Sequence, residues 1–244
     1  MRNADLYRRG IETLLASWKA YAVGSRGAAV MRLPGASVAV FPEEPERRVY
    51  NNAIPARDLA RRGRAEAAAA IEAAYARAGV DRFAVWVHES DQAMRDDLER
   101  RGYAVAEATR AMGMALDDIR VPPPDIELGP SGLDLHRRIL GLPPCLLNGT
   151  DRSAVRVLVA SLDGENVATA LAVDHEGDCG IYNVGTLERA RGRGLATALT
   201  ALHVHGARAR GCRTASVQST PMAERVYAAV GFRDLGRILA YGFR

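Results

Sequence analysis

A chain of 244 residues, 48% hydrophobic and 25% charged, has the composition of an ordinary globular protein and is long enough for one large domain or two small ones. Its formal charge of +4 is spread along the chain, with no basic stripe interleaved with aromatics, so nucleic-acid binding is not expected. No apolar run reaches the length of a membrane span, and the opening ten residues lack the apolar segment of a secretory signal. Cys145, Cys179 and Cys212 are widely separated, with no CxxC spacing. The expectation is a cytoplasmic protein with no membrane partner, no disulfide frame and no zinc site.

In chain order, residues 4–21 place Leu6, Ile11, Leu14, Leu15 and Trp18 near one helical face. Residues 28–33 and 37–41 read as strands joined at Pro34-Gly35, and 48–54 as a third strand. The Ala/Arg/Glu-rich run 57–78 is a strong helix former stopped by Gly79. A strand over 82–87, a helix over 91–101 closed by Gly102 and a strand over 111–116 complete the first half. Val121-Pro122-Pro123-Pro124 reads as linker. The order then recurs: a helix over 133–140, strands over 154–161 and 167–173 around Asp163-Gly164, and a strand over 181–184. A helix over 195–210 stopped by Gly211, a strand over 214–219, a helix over 222–230 ended by Gly231-Phe232 and a strand over 238–243 follow.

The recurrence extends to residues. Tyr50-Asn51 answers Tyr182-Asn183 at the spacing at which Gly79 answers Gly211. Leu33-Pro34-Gly35 with Leu162-Asp163-Gly164, and Gly102-Tyr103 with Gly231-Phe232, share a slightly shorter spacing, as loop insertions produce. These matches predict two copies of one α/β unit, residues 1–120 and 127–244, joined by the Pro-rich stretch 121–126.

One loop distinguishes the copies. Arg191-Gly192-Arg193-Gly194-Leu195-Ala196 sits between an apolar strand and an Ala-rich helix, where the first half has Arg57-Asp58-Leu59-Ala60-Arg61-Arg62-Gly63. Glycine permits positive φ and close approach of a ligand. The start of the helix turns unpaired N–H groups and a positive dipole end toward the loop. Such a loop suits a phosphate or pyrophosphate. It lacks the third glycine of a dinucleotide fingerprint and the Gly-Lys-Ser/Thr of a P-loop. No Asp or Ser/Thr beside it would hold the Mg²⁺ of a nucleotide, so a single anion site is expected, in the second half.

Residues 126–244 resemble the GNAT-type acetyltransferases. Arg191-x-x-Gly194-x-Ala196 fits the superfamily's Gln/Arg-x-x-Gly-x-Gly/Ala signature. Thr220-x-x-Ala223-x-x-x-Tyr227-x-x-x-Gly231-Phe232 fits its later Asn-x-x-Ala-x-x-x-Tyr-x-x-x-Gly-Phe segment, with Thr220 in place of asparagine. The first half resembles the same fold as a degenerate copy. The resemblance implies an α/β (α+β) fold of two GNAT-like acyl-CoA N-acyltransferase units, each a mixed, mostly antiparallel sheet flanked by helices. It implies acetyl-CoA as cosubstrate, with no metal. Arg191, Gly192, Arg193, Gly194, Leu195 and Ala196 would hold the pyrophosphate, and Val184, Gly185, Thr186 and Thr220 the pantetheine arm. A backbone N–H near Val184 or Gly185 would be the oxyanion donor and Tyr227 the general acid; Leu98 aligns with Tyr227 in the first copy.

The implied reaction is acetyl transfer to the primary amine of a small molecule or amino-acid-like acceptor. A CoA-binding sensor or protein-interaction module without turnover is the alternative. Glu188, Asp174, His175 and Glu224 all stand open as general base. His203 and His205, two apart on one helix, face differently and form no metal pair; Trp18 and Trp86 read as core. Monomer and homodimer both fit, since paired units can cover each other's sheet edges.

Overall fold

Helix α1 (Asn3–Val23) turns Leu6, Leu14, Leu15, Trp18 and Tyr21 inward, the face its sequence pattern predicts. It lies across the middle of a ten-stranded sheet. The computed structural model describes residues 1–43, 50–143, 147, 150 and 153–243; Cys145 and the beginning of the strand predicted over 48–54 lie outside them. The first half continues with β1 (Ala29–Leu33), β2 (Ala36–Val40), β3 (Asn52–Pro55), α2 (Arg61–Arg77), β4 (Ala84–His88), α3 (Gln92–Arg100) and β5 (Tyr103–Ala115). The second half holds α4 (Leu133–Leu140), β6 (Arg156–Leu162), β7 (Glu165–His175), β8 (Asp178–Thr186), α5 (Leu195–Ala209), β9 (Thr214–Ser219), α6 (Glu224–Val230) and β10 (Arg233–Phe243).

The strand order is β1-β2-β3-β4-β10-β5-β9-β8-β7-β6. From either edge it runs through an antiparallel hairpin, a third antiparallel strand, a parallel neighbour and then the last strand of the opposite half. β5 and β10 meet antiparallel at the centre. Alternation along each strand supplies the two apolar faces. Ala39 and Ile54 face α1 while Val38, Val40 and Ala53 pack under α2 and α3. Leu171 and Val173 face α1, while Ala170 and Ala172 pack on the other face with α5.

Three boundaries among the described residues depart furthest from the sequence expectation. α2 starts at Arg61 because Asp58 takes a left-handed φ of 59°, a conformation that Asp tolerates and a helix cannot continue through. β5 begins at Tyr103 and β10 at Arg233, each well before the predicted start. Both carry register shifts, at Ala240/Tyr241 and at Asp234/Arg237. A bulge breaks the two-residue alternation by which a strand is recognised.

The parallel pairs set the position of the site. β8 and β9 are in register only from Asp178↔Thr214 to Gly180↔Ser216. Beyond that β8 runs on to Thr186 and β9 to Ser219 unpaired with each other, and β9 stays on β5 through Arg110↔Ser219. The sheet therefore opens between β8 and β9.

Candidate active site

The opening is lined first by β8. Leu171 and Thr169 of β7 face Tyr182 and Gly185 of β8, so β8 carries an extra residue at Asn183-Val184. Asn183 has φ 51°, and its Nδ2 donates to the Tyr21 hydroxyl at 3.0 Å. Such a bulge takes backbone groups off the ladder and turns them elsewhere. Gly185 has a different reason to be glycine: a Cβ there would stand 2.2 Å from Leu140 Cδ2, so the missing side chain lets α4 sit directly on the strand.

Beyond Thr186, a 3₁₀ turn (Glu188–Ala190) leads into the glycine loop. Arg191 Nε donates to the Thr186 carbonyl oxygen at 3.4 Å. Gly192 and Gly194 have φ of 77° and 75°, the left-handed region that a side chain disfavours. No protein atom lies within 4 Å of where either Cβ would be, so the concavity under the loop is open. Gly194 caps α5, and the first intrahelical bond runs from Ala198 N–H to its carbonyl. The preceding N–H groups are left for a ligand. Arg191 and Arg193 are exposed at the rim. The matching start of α2 has Ala60 as its cap, with an ordinary negative φ.

Tyr227 closes the inner end. Its ring is buried at 5% exposure and meets Phe232 edge-on at 5.9 Å. Burial pushes its hydroxyl up to about 12, so it stays protonated at neutral pH. All the residues singled out for the cofactor and for catalysis line one cleft of about 640 Å³. The sequence did not point to Ile139, Leu140 and Met222, which also line it; they belong to no motif. Behind the cleft lies a second pocket of about 370 Å³. Val184, Thr220, Ala223 and Tyr227 line both.

Both halves build this inner pocket, the first contributing Trp18 and Tyr21 from α1, Tyr50, Trp86 from β4 and Glu107 from β5. Trp18 and Trp86 meet edge-on at 5.7 Å; they are core residues that also wall a cavity. None of the open candidates for general base lines either compartment. Asp174 and His175 sit at the far end of β7, about six residues or 20 Å along the strand from the Thr169↔Gly185 pair. Burial raises the Asp174 carboxyl, but its bonds to Arg210 (2.6 Å) and Arg156 (3.3 Å) outweigh this and hold it below its usual range. Glu224 pairs with Arg110 at 3.0 Å, and Glu188 is exposed on the 3₁₀ turn. His203 and His205 contact different carbonyls, of Ala170 and Val121. Among the described residues no group of His, Cys, Asp or Glu is placed to hold a metal, and no helix is long and apolar enough to cross a membrane.

The sequence model of the Acetyltransferase (GNAT) family matches residues 126–232. No curated protein sequence matches the chain. Among solved structures, the chain is similar to a GCN5-related N-acetyltransferase from Kribbella flavida at 17% identity and TM-score 0.71, over 98% of this chain and 95% of that one. It is similar to a second from Sphaerobacter thermophilus at 21% identity and TM-score 0.59, over 85% and 76%. A tandem GNAT protein from the clavulanic acid biosynthesis pathway aligns at 17% identity and TM-score 0.58, over 95% and 94%. The acetyltransferase (GNAT) family model thus matches the second half of the chain, residues 126–232, and the whole chain shares the fold of the GCN5-related N-acetyltransferases.

Proposed function

We propose that this protein moves an acetyl group from acetyl-CoA to the primary amine of a small molecule. The observation that carries this reading is the junction at Tyr227: an anion cradle opens into a cleft, and the cleft meets a separate pocket at the one buried tyrosine that lines both. Acetyl-CoA would supply an acyl carbon activated as a thioester. The Gly192–Gly194 loop and the α5 N-terminus would bind its pyrophosphate, with Arg191 and Arg193 adding charge. Backbone of the β8 bulge near Val184 and Gly185 would donate to the acyl oxygen. The amine nitrogen forms the new C–N bond, the C–S bond breaks, and one proton is released overall. Tyr227 donates to the departing sulfur as general acid. A hydroxyl near 12 is a weaker acid than a thiol at about 8.5, so its help is a modest sharing of charge.

We read residues 1–120 and 127–244, joined by 121–126, as two copies of one unit, of which only the second keeps the cradle. The strand order that runs alike from both edges supports this. So do the ends of α2 and α5, where Val80 N–H reaches Tyr75 O and Cys212 N–H reaches Ala207 O across left-handed Gly79 and Gly211. Leu98, aligned with Tyr227, is buried in the core of its half.

Calorimetric titration with acetyl-CoA, beside ATP and NAD, tests the reading. One site per chain is expected, with no binding by Gly194→Asp, which puts a side chain and a negative charge at a left-handed cradle position. Thiol release across an amine panel tests turnover. Binding without release for any amine would leave a non-catalytic CoA-binding module, and two sites would overturn the account of the first half.

A further inference from the structure

We propose that the inner pocket selects primary amines with a single positive charge and an apolar aryl or branched-alkyl body, with Glu107 as partner of the ammonium. The inference rests on the acetyl-transfer reading for what happens to the amine, but its evidence is the pocket itself. Trp18, Tyr21, Tyr50 and Trp86 give it aromatic walls, and Glu107 is the one charged residue among the described residues lining it. Glu107 is exposed to solvent where it lines the pocket, and its carboxylate has no salt-bridge partner among the described residues.

Register places these groups. Trp86 of β4 stands opposite Ala240 of β10, and Ala240 opposite Glu107 of β5. Indole and carboxylate therefore share one row and one face of the sheet, about 10 Å apart at the backbone, with only a methyl group between them. The bulge at Ala106 breaks the ladder beside Glu107, a device that re-aims a side chain. A cation bound between Trp86 and Glu107 would meet a carboxylate on one side and a tryptophan on the other. Gln218 Oε1, buried in the same pocket without a hydrogen-bond partner, would take an N–H.

Selectivity follows from what is missing. No Arg, Lys or His is among the described residues that line the pocket, so among them the carboxylate of a free amino acid would find no cation and would face Glu107. The second charge of a polyamine would find no second carboxylate among them. Acetylation removes the ammonium charge, so Glu107 favours substrate over product.

The two tryptophans of the chain both line this pocket, so fluorescence of the full-length protein excited selectively at tryptophan reports on it. Titration with 2-phenylethylamine, with and without coenzyme A, is expected to give a saturable change. L-Phenylalanine, which adds a carboxylate, and putrescine, which adds a charge and lacks an aryl body, should bind about tenfold more weakly. Glu107→Gln should weaken 2-phenylethylamine by about fivefold or more while leaving acetyl-CoA calorimetry unchanged. Equal responses to phenylalanine or putrescine, wild-type affinity in Glu107→Gln, or no response to 2-phenylethylamine in either condition would overturn the proposal. Absence of acetyl-CoA binding would instead overturn the acetyl-transfer reading, and the fluorescence result would still decide the amine site.

Discussion

In the proposed mechanism Tyr227 combines packing with chemistry, and the two roles can be separated. Its ring fills a core position against Phe232, while its side chain lines both cleft and pocket, where the hydroxyl has its proposed role. Phenylalanine keeps the ring and removes only the hydroxyl. Tyr227→Phe is therefore expected to lower kcat by roughly tenfold to a hundredfold, at the lower end of what general acids contribute, with acetyl-CoA affinity and thermal stability close to wild type. An unchanged kcat would return Tyr227 to the core. Its place in the cleft was legible from the sequence because it falls at a fixed spacing before Gly231-Phe232. Glu107 was not. Nothing about an isolated glutamate in an Ala-rich run marks it, and only the pairing of β5 with β10 brings it into line with Trp86.

Elements end where their local chemistry requires, which is why helices were read more accurately than strands. Gly79, Gly102, Gly211 and Gly231 stop α2, α3, α5 and α6 as expected, all at positive φ. The stops are not equivalent. A Cβ at Gly231 would lie 2.6 Å from the backbone oxygen of Asp118, at the end of the turn that follows β5, whereas at Gly102 it would meet nothing within 4 Å. Gly102→Ala should cost about 1 kcal/mol from backbone conformation alone. Gly231→Ala must also displace backbone, so about 3 kcal/mol or more is expected, readable as a larger fall in urea midpoint at unchanged m-value. Equal costs would mean that the Asp118 turn yields freely. The early parts of β5 and β10 escaped the sequence because bulges and an open pocket replace the regular alternation of a covered strand. The glycine loop was legible for the opposite reason: the left-handed turns at Gly192 and Gly194 require a residue type that also punctuates local structure.

At the scale of the molecule, the Pro-rich boundary at 121–126 is not a boundary in the sheet. β10 lies between β4 and β5, and β5 lies between β10 and β9, so each half sends its last strand across the centre. α1 packs on both, with Phe41 and Ile54 of one half and Leu171 and Val173 of the other in a single cluster. Losing β10 from the first half would remove Leu235, Ile238 and Tyr241 from their buried sites. At about 1.5–3 kcal/mol for each large apolar side chain, that is comparable to a whole domain's stability of about 5–15 kcal/mol. Residues 1–120 and 121–244 expressed separately are therefore expected to show no cooperative thermal transition, and to regain one when co-expressed. The intact chain should unfold in a single step, with near- and far-ultraviolet circular dichroism coinciding. The same exchange divides the proposed site, since the cradle comes from the second half and the inner pocket is lined by both. Co-expressed halves should then recover both acetyl-CoA binding and thiol release together. A second half that melted cooperatively and acetylated amines alone would refute this, because its pocket would lack Trp18, Trp86 and Glu107.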